Sequence, residues 1–132
     1  MKLTKMESQY SHKRPLLNHI LGQMIEACEL ISSWNESVLT PDEYLNSPDG
    51  VQKMAASCML IESIGEGVKK VDRLTQGLLY DKFPNTQWKE IMGLRDHIAH
   101  GYFNLDADII FDVVKTEIPP LQKTLVELKS II

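Results

Sequence analysis

Three residues near the C-terminal third of the chain have types and spacing that suit phosphate chemistry: Arg95, His100 and Tyr102, in the pattern Arg-x4-His-x-Tyr. Arginine stays charged at any physiological pH and offers a planar fork of donors that matches phosphate oxygens. Histidine titrates near neutrality and can give or take a proton. Together they suit RNA cleavage without a metal. In that reaction the 2′-OH attacks the adjacent phosphate, a general base takes its proton, and a general acid protonates the leaving 5′-oxygen. A cation stabilises the added charge of the phosphorane. His100 is the candidate acid/base and Arg95 the candidate charge clamp, with a 2′,3′-cyclic phosphate and a 5′-hydroxyl as products. Arg14 and His19 share the Arg-x4-His spacing, but Ile20 and Leu21 follow and no tyrosine does. With three arginines, four histidines and four tyrosines in 132 residues, the full pattern arises by chance at roughly 0.003.

The same residues also have structural readings. Arg95 could pair with Glu62 or Glu66, which share a helix face at i and i+4. His100 could sit on the last carbonyls of a helix, with Gly101 ending it in a left-handed conformation. His97, His100 and Asp96 imitate a metal site, but no third ligand stands at a suitable spacing and neither cysteine is nearby in sequence. The expectation is no metal and no cofactor. No Gly-rich phosphate loop or nucleotidyltransferase motif is present.

The element that must position these groups is the stretch Trp88–Tyr102, expected as one helix. Its apolar stripe is Trp88, Ile91, Met92, Ile98, Ala99 and Tyr102, with Arg95 near the middle. A charge there must be paired or face a cleft, because burying it alone is costly. On an ideal helix Arg95 and His100 lie about 140° apart around the axis and about 7.5 Å along it. Either the helix unwinds before Gly101, or the site is completed across a two-fold dimer axis. The dimer would also gather cationic groups for a protein whose net charge is −4, which has no overall basic field to attract nucleic acid.

The remaining elements read as helices. One runs from about Pro15 to Ser33, with Leu16, Ile20, Met24, Ala27 and Ile31 at helical spacing and Leu17, Leu21 and Cys28 widening the stripe. Thr40-Pro41-Asp42-Glu43 is a capping box for a short helix. Ser47-Pro48 starts a long one to about Leu74, with Val51, Met54, Cys58, Ile61 and Val68 buried. Gly65 lies on that stripe, where its use would be close approach of another helix. Residues 77–85 read as a connection, and Asn85 or Thr86 as the cap of the central helix. A last helix, capped by Asn104 or Asp106, carries Ile110, Val113, Val114, Leu121, Leu125 and Leu128, with Pro119-Pro120 as a kink. The expected fold is all-α: an up-and-down bundle of four main helices plus a short one, in a single domain over 1–132 with 1–13 loose. Cys28 and Cys58 read as buried small hydrophobes in a reducing, cytoplasmic setting. No apolar run is long enough to span a membrane, and no signal peptide is evident.

Ile64-Gly65-Glu66, then Pro84 and Trp88, then Arg95 to Tyr102, then Ile118-Pro119-Pro120-Leu121 occur in one order. This order resembles the HepT-like toxins of the HEPN (higher eukaryotes and prokaryotes nucleotide-binding) superfamily, over nearly the whole chain. The resemblance implies a dimerising helical bundle that acts as the RNase toxin of a type II toxin–antitoxin pair. It implies an MNT-type nucleotidyltransferase antitoxin that adenylylates a tyrosine. By position, Arg95 and His100 are then the catalytic pair and Tyr102 the AMP acceptor. The residue after the arginine is often Asn in such proteins, and here it is Asp96, polar but anionic. RNA and the antitoxin are the implied partners, with neither membrane nor DNA. The competing reading is a non-catalytic nucleotide- or substrate-binding subunit of a two-component nucleotidyltransferase.

Overall fold

The computed structural model describes residues 11–99 and 104–132. After a short 3-10 turn at Ser11–Lys13, helix α1 spans Arg14–Trp34. Pro15 sits in its first turn, where a missing N–H costs no helix bond. Its buried face is Leu17, Ile20, Leu21, Met24, Ala27, Cys28 and Ile31. The stripe is therefore centred one residue later than expected, and Leu16 stands exposed. A 3-10 turn at Pro41–Tyr44 follows, entered through the expected capping interaction. The Glu43 carboxylate accepts from the Thr40 N–H at 2.9 Å and from the Leu39 N–H.

Helix α2 spans Pro48–Thr75. The Ser47 hydroxyl caps it by accepting from the Gly50 N–H at 3.0 Å. Met54, Cys58, Ile61 and Val68 are buried as expected, whereas Val51 is exposed. The helix ends at Gln76 and Gly77, both with positive φ; at +98° the latter suits glycine. Helices α1 and α2 run antiparallel: Asn35 meets Ser57 at one end, and Met24 lies over Gly67 further along.

The connection expected over 77–85 contains helix α3, Leu78–Lys82. Leu78 and Leu79 are both buried. The Trp88 indole N–H holds its end, donating to the carbonyls of Leu79 and Phe83, each at 3.1 Å. Helices α4, Trp88–Met92, and α5, Leu94–Ile98, follow. Neither Asn85 nor Thr86 caps α4. Gln87 stands at that position without a side-chain bond, and the Trp88 N–H reaches only back to the Thr86 carbonyl.

Helix α6, Ala107–Asp112, is capped by Asp106, whose carboxylate accepts from the Ile109 N–H at 3.1 Å. It passes through a π-turn, Val113–Glu117, into helix α7, Ile118–Ile131. The expected kink takes this form because Pro119 and Pro120 have no N–H for the carbonyls one turn earlier. The wider turn absorbs the mismatch, and the prolines open a new helix. Ile110, Val113, Val114, Leu121, Leu125 and Leu128 are all buried, as their spacing predicts. Helix α7 is antiparallel to α1, with Gln122 bonded to Glu29 and Lys129 beside Gly22. The fold is all-α: among the described residues the sole β pairing is one antiparallel bridge between Ala99 and Leu105. Among the described residues no helix is long and apolar enough to cross a membrane.

One buried polar node joins four parts of the fold. Asn35 is fully buried. Its side-chain amide donates to the Ile31 carbonyl at 2.7 Å and to the Ser57 hydroxyl at 2.8 Å. Its side-chain oxygen accepts from the Tyr44 hydroxyl at 2.7 Å, and its backbone carbonyl from the Lys115 ammonium at 2.7 Å. Removing the amide strands buried donors and acceptors, each at a cost of about 1–3 kcal/mol. Asn35→Leu is expected to lower the unfolding free energy by about 2–4 kcal/mol, read from urea denaturation midpoints.

Burial also pushes the Cys28 thiol up to about 12 from its ordinary 9.0 and the Tyr44 phenol up to about 12 from 10.0. Each folded-state value is raised, so the folded chain holds these protons more tightly than the unfolded one. That stabilisation is complete below pH about 9 and is lost as pH rises toward about 12. Denaturation midpoints are expected to be flat from pH 7 to 8.5 and to fall above pH 9. Cys28→Ala should start lower but fall less steeply.

Candidate functional site

The expected single helix over Trp88–Tyr102 is broken at Gly93, whose N–H is shared between the carbonyls of Lys89 and Glu90, each at 3.2 Å. The buried stripe becomes Trp88, Ile91, Leu94 and Ile98, and Arg95, Asp96 and His97 turn to the surface. Arg95 therefore does not occupy the middle of the apolar stripe. Its side chain is 62% exposed.

Gly65 fixes where α4 lies. A Cβ there would stand 3.1 Å from the Ile91 carbonyl oxygen and 3.6 Å from that of Met92. The bare glycine lets the α4 backbone rest directly on α2, the close approach its place on the stripe implied. One turn earlier on α2, Glu62 meets Arg95, with Oε1 2.9 Å from Nε. Of the two carboxylates considered as partners, Glu62 takes the arginine. Glu66 pairs with Lys69 instead, at 3.0 Å.

Helix α5 ends at Ile98, four residues before the expected end. Ala99 is extended, with φ −136° and ψ 127°, and bridges to Leu105. The Asp106 N–H donates to the Ile98 carbonyl at 2.9 Å. Helical geometry therefore stops before Gly101, the first of the two alternatives the spacing left open, and the 140° separation drawn for a continuous helix does not apply. His100 and Tyr102, the expected acid/base and AMP acceptor, lie outside the described residues, as does Gly101.

Arg95 lines a cleft of about 540 Å³. Glu62 and Asp96 are its other charged walls, and Ala55, Met59, Ala99 and Leu105 its apolar ones. Met59 is 69% exposed. Cys58 also borders the cleft. Burial, and then the Glu62 carboxylate, raise its thiol pKa, while Arg95 opposes them. The thiol is held neutral and is a poor nucleophile. Among the described residues no three His, Cys, Asp or Glu side chains converge as metal ligands.

The cleft groups an arginine, two carboxylates and an apolar wall, so it can offer donors to an anionic group and a surface to a flat or apolar one. The sequence reading found Arg95, Asp96 and Glu62 but missed the wall. Ala55, Met59 and Glu62 recur at i, i+4 and i+7 on the side of α2 away from its core stripe, a pattern that marks a second face.

The HepT-like family, described as ribonuclease HepT-like, matches residues 24–128. A protein of Caldanaerobacter subterraneus subsp. tengcongensis, named as a candidate RNase, is 31% identical over 87% of this chain and 92% of its own length. A candidate RNase of Methanocaldococcus jannaschii is 35% identical over 48% of this chain and 54% of its own length. A candidate ribonuclease HepT of Thermococcus cleftensis is 28% identical over 77% of this chain and 86% of its own. No solved structure gives a significant match.

Two substitutions separate backbone support from charge in this cleft. Gly65→Val is expected to push α4 off α2 and to cost about 1–3 kcal/mol of stability, as overpacking does. Glu62→Gln is expected to change stability by less than about 1 kcal/mol, because exposed ion pairs contribute little. Equilibrium denaturation followed by Trp88 fluorescence measures the first, and Trp34, more than 50 residues away in sequence, must be replaced by Phe for a clean signal.

Proposed function

Since the chain belongs to the HepT-like ribonuclease family, we propose that it is a metal-independent endoribonuclease toxin that cleaves RNA by attack of the 2′-OH. Arg95 holds the phosphate and stabilises its developing charge. His100 transfers the proton at the attacking or leaving oxygen. The observation that carries this reading is the exposed Arg95 guanidinium in an open cleft, followed at the required spacing by His100.

The active form in this reading is a homodimer, which brings two copies of Arg95 and His100 to one groove. That concentration of cations offsets the overall charge of −4, which otherwise opposes polyanion binding. Asp96 stands beside Arg95 as a second carboxylate. The partner is an MNT-type nucleotidyltransferase antitoxin that attaches AMP to Tyr102. A bulky anion placed there competes with substrate phosphate for the arginine. The full unit is a type II toxin–antitoxin pair acting in the cytoplasm.

The deciding experiment is cleavage of end-labelled total tRNA and mRNA in EDTA. Wild type is expected to cut and to leave 2′,3′-cyclic phosphate ends. His100→Ala and Arg95→Ala are each expected to lose at least about a hundredfold in rate, the usual scale for removing an acid/base or a charge stabiliser. A folded wild type that cuts nothing, yet binds nucleotide, would favour a non-catalytic subunit. For the regulatory half, Tyr102→Phe is expected to remain toxic in the presence of antitoxin and ATP. A mass increase of one AMP on that variant would overturn the assignment.

A further inference from the structure

We propose that Asp96 is a base-selecting residue: with the apolar wall of the cleft it takes a guanine next to the phosphate that Arg95 holds, so that RNA is cut beside guanine. This rests on the ribonuclease reading for the cut, and on the cleft alone for the preference among bases.

The cleft is larger than a single ion needs. Its volume of about 540 Å³ falls within the roughly 300–1,000 Å³ of pockets that hold small organic ligands. Its walls divide by chemistry. Among the described lining residues Arg95 is the one cation, and Ala55, Met59, Ala99 and Leu105 are apolar. Met59 is 69% exposed, and its polarizable thioether makes favourable contacts with aromatic rings. A nucleobase is a flat ring whose polar atoms lie on its edge. Unpaired bases in RNA are held by stacking on the ring face and by hydrogen bonds to the Watson–Crick edge. The apolar wall suits the face, and the charged wall must supply partners for the edge.

Those partners are acceptors. Glu62 and Asp96 are the carboxylates of the cleft, and an ionised carboxylate accepts hydrogen bonds without donating any. Glu62 already has its countercharge, with Oε1 2.9 Å from the Arg95 Nε. The ion pairs among the described residues are Lys53–Asp49, Lys69–Glu66 and Arg95–Glu62, so Asp96 enters none of them. An exposed carboxylate beside a phosphate site repels the substrate, unless the substrate brings donors to it. The four bases differ in what they bring. Guanine presents two adjacent donors, N1–H and the N2 amino group, which match the two oxygens of one carboxylate. Adenine and cytosine each present one amino group beside a bare ring nitrogen, which repels the second oxygen. Uracil presents one N–H between two carbonyls. The order expected for Asp96 therefore has guanine first and uracil last.

The test uses the full-length chain, wild type and Asp96→Asn. Asparagine keeps the size of the side chain and replaces one acceptor oxygen with a donor amide. Cleavage of an RNA pool randomised around the cut is expected to show guanine at one flanking position, favoured over uracil by at least about tenfold in wild type, the scale of one good edge contact. In Asp96→Asn that ratio should fall below about threefold, whatever happens to the overall rate. Binding is read separately by titrating wild type with 3′-GMP and with 3′-UMP while the Met59 methyl signal is followed by NMR. 3′-GMP is expected to bind at least about tenfold more tightly and to move the Met59 methyl through the ring current of the base. Equal binding of the two nucleotides overturns the proposal. So does a wild type that cuts RNA without preferring guanine, or an Asp96→Asn enzyme that keeps the full preference; in both cases the ribonuclease reading stands. A wild type that prefers 3′-GMP but cleaves no RNA would overturn the ribonuclease reading and the cut beside guanine, leaving the base site established.

Discussion

The fold depends on a fully buried asparagine. Asn35 terminates α1, and its amide and carbonyl are the meeting point of Ser57 from α2, Tyr44 from the 3-10 turn and Lys115 from the π-turn. Apolar side chains tolerate small slips against one another. Buried hydrogen bonds do not, because a slip leaves desolvated donors and acceptors unpaired. The node therefore fixes the register of α2 against α1. That register carries along α2 to Glu62 and Gly65, about five and eight residues beyond Ser57, or roughly 7 and 12 Å of helix. Gly65 then presents its bare face to the α4 backbone, and Glu62 presents its carboxylate to α5. The node's contact on α2, Ser57, lies next to Cys58 at the border of the cleft.

The long helices were legible because their cores repeat at the helical period. The stripes of α1, α2 and α7 follow from spacing alone, apart from Leu16 and Val51 at helix starts, which nothing among the described residues covers. The Asn35 node was not legible. Periodicity registers apolar side chains, and a polar residue just past a helix end reads as loop unless its distant partners are known. The break at Gly93 was missed for a related reason. A glycine inside a periodic pattern weakens a helix by only about 1 kcal/mol against alanine, so the pattern carries on through it on paper. In the folded chain the Trp88 indole anchors one side of that glycine to α3, and Leu94 packs on the other.

A continuous stripe would place Arg95 among Ile91, Met92 and Ile98, where its charge must be paired or face a cleft. Arg95 is exposed rather than buried in that stripe, and it does both, paired with Glu62 on the wall of a cleft. Its pairing with Glu62 was one of two alternatives read from the sequence, and the geometry selects it. The early end of α5 at Ile98 likewise selects unwinding before Gly101. The wall formed by Met59 and Leu105 joins α2 to the segment after position 103, and a contact between elements so far apart in sequence has no local signal.

Rigidity and charge are divided between different parts of this cleft. Its shape is held by backbone: the α4 carbonyls on Gly65 and the Ala99–Leu105 bridge. Its charges stand on exposed side chains, where pairing stabilises the fold by less than about 1 kcal/mol. Such charges can exchange partners without unfolding anything around them. Burying the same pair would have bound Arg95 to Glu62 at a desolvation cost that an incoming phosphate would also have to overcome. Surface exposure leaves the arginine able to take a second anion beside Glu62.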